Sequence, residues 1–595
     1  MADMTGANGA NGSHAIPAAG STSASAVFLR VLLESGITTA FVNLGSDHPA
    51  LLEAFADNAA TGAKQIDIVT CPNEMVALSM AQGYGQATGR PAAVIVHVDV
   101  GTQALAGAIH NVDKNRTPVF IYAGASPFSC LGELPGSRNE FILSLQDVLD
   151  QPAIVRQYMR HVGQINSGLV VAQTVRRALQ FASSEPKGPV YVWARREPME
   201  EMLSAEAVER QMSVSNWSPV EPRALAPKTL KVIADGLLSA KRPYLITSYA
   251  GREPAAVALL AELVETLELP VHLANPSVVN LPLDHRCIAS LGYGMDKDER
   301  LISADVVLIL DADIPYTPLI NRPAKGAQVF QLDVDPLKTS MSVFHIDATV
   351  RANVHTVTAL EQILEAIRGK PVTDIDGRRQ RVKQYNDARM AALAQAETTL
   401  PSDGSFTVPN LLARVRAAIP VRTVLLNEGI SNYGPTWNHI RPKLAGHGFT
   451  SGAASLGWSL PAAMGVQFGE QYDLALAVIG DGSFLFSVPS SVYWIARRYK
   501  KPFLTVVLHN GGWKSPRYSA LAVHGSGQAA KAKPSDLHVT FDQPPDYGAI
   551  AAAAGGAWNK IIKRADEVEN AVREAVRVVR EEQRCAVLDC WLEHF

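Results

Sequence analysis

Cysteine is scarce in this chain, with five among 595 residues, at positions 71, 130, 287, 585 and 590. An odd number, scattered apart from the last two, excludes a disulfide framework and fits a reducing compartment. Cys585 and Cys590 lack a second Cys/His pair, which removes a metal knuckle; the thiols are expected to pack as small hydrophobes. The chain also lacks an excess of either charge: 54 Lys+Arg face 57 Asp+Glu, a formal net charge of −3. That balance removes the electrostatic footprint of a nucleic-acid binder. No apolar run reaches the ~18 residues of a membrane span. No Lys or Arg precedes Arg30, so neither a basic leader nor an Arg-rich targeting helix is expected. Glu593-His594-Phe595 is not a peroxisomal tripeptide. A cytoplasmic protein engaging neither membrane nor nucleic acid is expected.

What is present is alternation. Short apolar runs recur along the chain, among them Ala92 to Val98, Val119 to Tyr122, Val190 to Val192, Pro243 to Ile246, Val306 to Leu310, Val329 to Val334, Leu474 to Ile479 and Phe503 to Leu508, with helical patterns between them. Continuous apolar strands separated by helices predict parallel sheets covered on both faces, an α/β architecture. Residues 1–25 are rich in Gly, Ala, Ser, Thr and Asn and predict a flexible tail. Two stretches, about 200–225 and 370–408, have the composition of connectors, the second containing a charged helical piece from Arg378 to Ala396. They divide the chain into three doubly wound blocks, 26–200, 226–370 and 406–595. Blocks one and three share a weak pattern, an Ala/Met/Gly-rich helix leading into an apolar strand that ends near Asp99 or Asp481, which hints at duplication.

The most informative segment follows the run Leu474 to Ile479. Gly480-Asp481-Gly482-Ser483 comes next, then a helical stretch, a second apolar run and Asn510-Gly511-Gly512. Ligands in open α/β sheets bind outside the carboxyl ends of strands. Glycines let backbone N–H groups approach a phosphate. One crossover brings the Asp481 carboxylate and the Asn510 amide oxygen to neighbouring strand ends. With the Gly512 carbonyl they make a hard oxygen set suited to Mg²⁺.

This assembly resembles the diphosphate motif of thiamin-diphosphate (ThDP) enzymes of the pyruvate decarboxylase and acetohydroxyacid synthase superfamily. The family motif usually ends in two asparagines; here His509 replaces the first, and Asn510 corresponds to the metal ligand. The resemblance implies that Gly480, Asp481, Gly482, Ser483, Asn510 and Gly512 hold the cofactor, with Asp481, Asn510 and Gly512 on the metal. Upstream, Ser451-Gly452-Ala453-Ala454-Ser455-Leu456-Gly457-Trp458 resembles the loop under the thiazolium ring, where Leu456 takes the place of the bulky wedge. Cys71-Pro72-Asn73-Glu74-Met75-Val76-Ala77 and the following Met80 to Arg90 resemble the segment carrying the activating glutamate, which becomes Glu74. In the family these two blocks come from different subunits, which implies a homodimer or homotetramer with active sites between subunits.

The reaction is marked less sharply. His97, before Gly101-Thr102, resembles an acid/base histidine of benzoylformate decarboxylase. His48, in Gly45-Ser46-Asp47-His48-Pro49, resembles the catalytic histidine position of benzaldehyde lyase. Both suit proton transfer near neutral pH. Gln103, His110 and Asn111 are expected in the same cleft, and Trp513, Lys514 and Arg517 beside the substrate. The family's flavin loop is missing at Asp311-Ala312-Asp313-Ile314-Pro315-Tyr316, so FAD is not expected. The acids of Val329 to Pro336 are expected to be structural. These features favour a ThDP- and Mg²⁺-dependent lyase or carboligase acting on 2-oxo acids or 2-hydroxy ketones. The alternatives are acetolactate synthase-like ligation of pyruvate and a catalytically silent ThDP-binding regulatory partner.

Overall fold

The computed structural model describes residues 21–294 and 296–593. One compact unit takes the chain up to Ala81 and again from Arg90 to Val220; the second takes residues 82–89 and everything from Glu221 onward. Between them they hold three six-stranded sheets, each parallel throughout.

The sheet of the first unit is built from Thr39–Asn43, Asp67–Thr70, Ala92–Val96, Val119–Ala125, His161–Gln164 and Pro189–Arg195. Numbered along the chain, its strands lie in the order 2-1-3-4-6-5. The central strands Ala92–Val96 and Val119–Ala125 are buried at every residue, which is why they are apolar without alternation. Helices Ala24–Glu34 and Val171–Ser183 bury Phe28, Leu32, Val175 and Leu179 in one core with Ile95, Phe120 and Val190. Each such side chain contributes about 1.5–3 kcal/mol of hydrophobic stabilisation.

The second unit contains two sheets. Pro243–Thr247, Val271–Ala274, Ile288–Gly292, Val306–Leu310, Gln328–Asp333 and Val350–Asn353 lie in the order 3-2-1-4-5-6. Thr423–Glu428, Gly448–Phe449, Leu474–Gly480, Leu504–His509, Trp558–Ile562 and Ala586–Trp591 repeat the 2-1-3-4-6-5 order of the first unit. The likeness that the sequence hinted at between the first and third blocks is therefore present in the strand order.

Three expectations need correction. The predicted tail is ordered from its last residues: Thr22–Ser23 pairs antiparallel with Met202–Leu203, and Ala24 and Ser25 are buried at the start of a helix that the Ser23 side chain caps. Residues 1–20 of that tail lie outside the described residues. The stretch 200–225 is no simple connector, because Ala205–Ser213 is a helix capped by Ser204, and Gln211 bonds to Ala172 and Gly168. The charged piece at 378–396 is helical as expected, but it is packed on the central sheet's helices and is more than a connector. It belongs to helix Ile375–Thr398, and the buried Arg378 guanidinium donates to the carbonyls of Leu237, Ala240 and Leu267 at the ends of two helices. Those are the unsatisfied acceptors that any helix C-terminus leaves. No described helix is long and apolar enough to cross a membrane.

The acids of the central sheet are tied up. Arg252 donates both bonds at 2.6 Å to Asp311. Buried Lys338 joins Asp313 at 2.8 Å and Asp333 at 2.5 Å, the structural use expected for Asp333.

Candidate functional site

In a 2-1-3-4-6-5 sheet the direction of winding reverses between strands 1 and 3, and the crevice at that switch point is where open α/β sheets bind ligands. In the first unit the segment Leu44 to His48 leaves strand Thr39–Asn43 on one side, and His97 leaves strand Ala92–Val96 on the other. The His97 Nδ1 is hydrogen-bonded to Asp47 Oδ1, and its Nε2 lies 2.9 Å from Gln146 Oε1. Two glycines make room for this pair. A Cβ on Gly45 would sit 1.9 Å from His97 Nδ1, and one on Gly124 would sit 1.7 Å from Asp47 Oδ2. Burial works to discharge His97, but the bond and charge of Asp47, with Gln146 and Glu74, outweigh it and hold the imidazole above its ordinary value. Burial opposes ionisation of Asp47, yet the neighbouring histidines hold its carboxyl below the usual range.

Glu74 opens helix Glu74–Thr88, where an acid is favoured by the helix dipole. The Asn73 side chain accepts from the Val76 N–H at 3.1 Å and fixes the start of that helix. Asn43 Nδ2 donates to Glu74 Oε1 at 2.8 Å, so the last residue of the first strand orients the carboxylate. Glu74 and His97 flank Gly101: a Cβ there would lie 3.4 Å from Glu74 Oε1 and 3.3 Å from His97 Cβ.

Other expected members of this cleft are placed elsewhere. His48 is fully buried, its Nδ1 accepts from the Gly45 N–H at 3.2 Å, and burial lowers its pKa. The ring packs against Tyr122, and its burial makes it less suited to proton transfer than His97. Gln103 is exposed and donates to Asp99 at 3.1 Å. His110 packs edge-on to Tyr158, about 16 Å along the helix axis from Asp99 by the usual rise per residue. It is removed from the His97 end of its helix; Asn111 is buried.

The third sheet carries the phosphate and metal motif at its own switch point. Asp481 follows the third strand and is buried, with Oδ1 accepting from Gly482 N at 2.8 Å and Oδ2 from Gly511 N at 2.8 Å and Asn510 N at 3.2 Å. Burial raises its pKa despite those bonds. Asn510 Oδ1 is buried without a hydrogen-bond partner. An orphaned amide oxygen beside a desolvated carboxylate is a donor set that a hard divalent cation satisfies. Gly512 has φ +153°, and a Cβ on it would meet Val539 O at 2.1 Å, so only glycine fits there. His509 Nδ1 bonds to Asp589 at 2.9 Å and is fully buried. Ser483 is buried in the short helix Asp481–Phe486.

The two glycines flanking Asp481 differ. A Cβ on Gly480 would meet nothing within 4 Å, whereas one on Gly482 would lie 2.2 Å from the Trp513 ring. Gly482 is therefore held to glycine by packing, whereas Gly480 is open. Trp513 is partly buried and packs edge-on to Phe541 at 4.8 Å and Phe486 at 6.1 Å. Lys514 starts helix Lys514–Val523 and donates to Glu593 O at 3.3 Å.

Leu456 is only half-buried, unlike a core leucine. Its loop hangs from Glu428, at the end of the first strand, whose two oxygens each accept at 2.6 Å, from Gly457 N and Ser459 N. Burial pushes Glu428 up to about 7 against those bonds. Gln82 and Gln86 donate to the carbonyls of Ser451 and Thr450, both at 2.9 Å. Beside this loop lies a cavity of about 200 Å³ lined by Tyr249, Leu291, Tyr293, Ile314, Tyr433 and Trp437 among others.

Asp47, Gln146 and Glu428 were missed from the sequence. An acid beside the noted His48, and an acid closing an apolar strand, were available signals for Asp47 and Glu428; Gln146 had none.

Residues 22–154 match the family described as thiamine pyrophosphate enzyme, N-terminal TPP binding domain, and residues 429–590 match its C-terminal TPP binding domain. The chain is 26% identical over 505 residues to benzoylformate decarboxylase of Pseudomonas aeruginosa, covering 82% of this chain and 86% of that protein. It is 22% identical over 503 residues to acetolactate synthase of Bacillus subtilis, covering 82% and 81%. A thiamine diphosphate-dependent 4-hydroxybenzoylformate decarboxylase of Rhodococcus jostii RHA1 superposes with a TM-score of 0.77 at 21% identity, over 96% of this chain and 100% of that one, which shows a shared fold. With both cofactor-binding segments matched, and the glutamate and Asp–Asn motifs lying inside them, the chain belongs to the thiamin-diphosphate-dependent enzyme superfamily.

Proposed function

We propose that this enzyme is a ThDP- and Mg²⁺-dependent lyase that removes CO₂ from 2-oxo acids and releases an aldehyde, with carboligation as the alternative fate of the same acyl unit. The observation that carries the reading is the pairing of Glu74 and His97 across Gly101, a carboxylate and an imidazole whose pKa is held above its ordinary value, brought together from the ends of two strands. When bound, the cofactor supplies an electron sink for the bond to the carbonyl carbon that breaks. Asp481, Asn510 and the Gly512 carbonyl would hold the metal, and Leu456 would set the cofactor's shape. Glu74, oriented by Asn43, holds the proton that the cofactor must exchange, and His97 moves a proton to or from the substrate.

The cavity of about 200 Å³ beside the Leu456 loop has aromatic and aliphatic walls, which favours an apolar or aromatic acyl substituent. Similarity to benzoylformate decarboxylase supports the same class. We further propose a homodimer or larger homo-oligomer. Leu131, Phe141, Leu145 and Leu149 are exposed on the segment that carries Gln146, and a second copy would cover them.

The test is reconstitution with ThDP and Mg²⁺, followed by CO₂ and aldehyde detection over benzoylformate, pyruvate, a straight-chain 2-oxo acid and benzoin. Benzoylformate is expected to be turned over fastest. Wild type and Glu74→Gln equally inert across the panel would remove the enzymatic reading, and a preference for pyruvate would remove the aromatic one.

A further inference from the structure

The geometry points to Asp47 as the positioning residue of the site: it fixes the ring of His97 and commits Nδ1, so that all proton exchange passes through Nε2, which Gln146 faces. This rests on the reading of His97 as the proton-transfer group.

Four observations carry it. The Asp47 side chain is fully buried and bonded to His97 Nδ1, while His97 is partly open, so the acid is behind the ring and the ring faces outward. The pair is built at the expense of two side chains, since any residue larger than glycine at 45 or 124 would collide with His97 or with Asp47. A carboxylate only accepts, so the proton on Nδ1 is fixed and Nε2 is the nitrogen left to exchange. Gln146 meets Nε2 at 2.9 Å, and its amide suits either protonation state, through the oxygen when Nε2 bears a proton and through the NH₂ when it does not.

Gln146 is itself held. Its carbonyl accepts from Ser126 Oγ at 2.7 Å, and the next residue, Asp147, is bound by Arg138 and lies 3.5 Å from Arg195. The charged and titratable groups around the pair are few. Glu74 faces His97 from its helix and raises it, and neutral His48 lies 3.4 Å from Asp47. Buried Tyr122 and Tyr191 also face Asp47, and both are pushed up by burial. Asp47 is thus the anion bonded directly to the His97 ring, as the acid of a hydrolase triad is to its histidine.

The experiment uses the full-length holoenzyme with histidine selectively labelled for NMR, the His97 signal being assigned by its loss in His97→Asn. In Asp47→Asn the His97 titration midpoint is expected to fall by about one pH unit. kcat is expected to fall about 100-fold, with KM changed less than about threefold and the pH–rate limb moving with the midpoint. Should that variant fail to fold, Asp47→Ser gives the same two readouts. An unmoved His97 midpoint in a folded Asp47 variant overturns the positioning role. If the midpoint moves but His97→Asn keeps its kcat, proton transfer by His97 is overturned instead, and the catalytic half of the inference goes with it.

Discussion

The first and third sheets have the same strand order, and they use the same strand ends for two different jobs. After strand 1 the first sheet presents Asp47, and the third ends in Glu428. After strand 2 come Glu74 and the Leu456 loop; after strand 3, His97 and Asp481; after strand 4, Gln146 and Asn510. In the first sheet these positions carry two titratable groups, Glu74 and His97, and two residues bonded to the His97 ring, Asp47 and Gln146. In the third they carry groups that hold backbone amides, or a buried oxygen set without its full complement of partners. A switch point fixes where a site forms, and the side chains at the strand ends decide what it does.

The sharpest way to break that division is to remove one group from each half. Glu74→Gln is expected to lower kcat about 1,000-fold while leaving ThDP affinity within about threefold, as loss of a general acid/base group would. Asp481→Ala is expected to weaken Mg²⁺-dependent ThDP binding more than about 100-fold. Calorimetry and steady-state rates on both variants check this. If Glu74→Gln abolished binding, or Asp481→Ala left it intact, the two halves would not be separate machines.

Much of this was legible in the sequence, for identifiable reasons. The sheets were visible because strands buried on both faces must be apolar without interruption, as in Ala92–Val96 and Leu474–Gly480. Asp481 and Asn510 stood out as a candidate metal pair because such a site would constrain residue type and spacing together. What stayed hidden depends on burial and pairing. The charged pattern at 378–396 gave no sign that Arg378 is buried on helix-end carbonyls. A histidine at a strand end has the same letter whether it is half-open, like His97, or sealed, like His48. Gln146 is brought to its place by a loop whose path no local pattern encodes.

Glu428 gives the next largest effect, and it is on stability. Burial holds its folded pKa at about 7, above the 4.5 of a free glutamate. The folded state therefore binds more protons than the unfolded state in that window, and stability falls as pH rises from about 4.5 through 7. At full ionisation the loss is on the order of 3 kcal/mol. Glu428→Gln is expected to flatten this slope in apo-protein melts between those pH values. A slope unchanged by the substitution would mean that Glu428 ionises as readily as a free carboxylate, and that its loop is not hung on a strained charge.

The glycines of the anchor separate packing from binding. Gly482→Ala places a methyl group against the Trp513 ring and is expected to cost about 1–3 kcal/mol of apo stability, the usual range for overpacking. Gly480→Ala meets open space and is expected to leave the apo melting temperature unchanged while weakening ThDP. Equal melting temperatures for the two variants would show that Gly482 is not the packing position.

The smallest effect is expected from the second histidine that motif likeness singled out. His48→Asn should leave kcat within about threefold of wild type, far from the 100-fold or greater loss expected of an acid/base group such as His97. Its trace is in acid instead. Burial lowers the His48 pKa below the 6.5 of a free histidine, so below that pH the unfolded chain binds the extra proton and stability falls. Asparagine has no proton to gain, so the variant should lose stability less steeply than wild type as pH drops below about 6.5. Melts from pH 7.5 downward compare the slopes. A large loss of kcat in His48→Asn with an unchanged acid slope would return proton transfer to His48 and reverse the assignment of the two histidines.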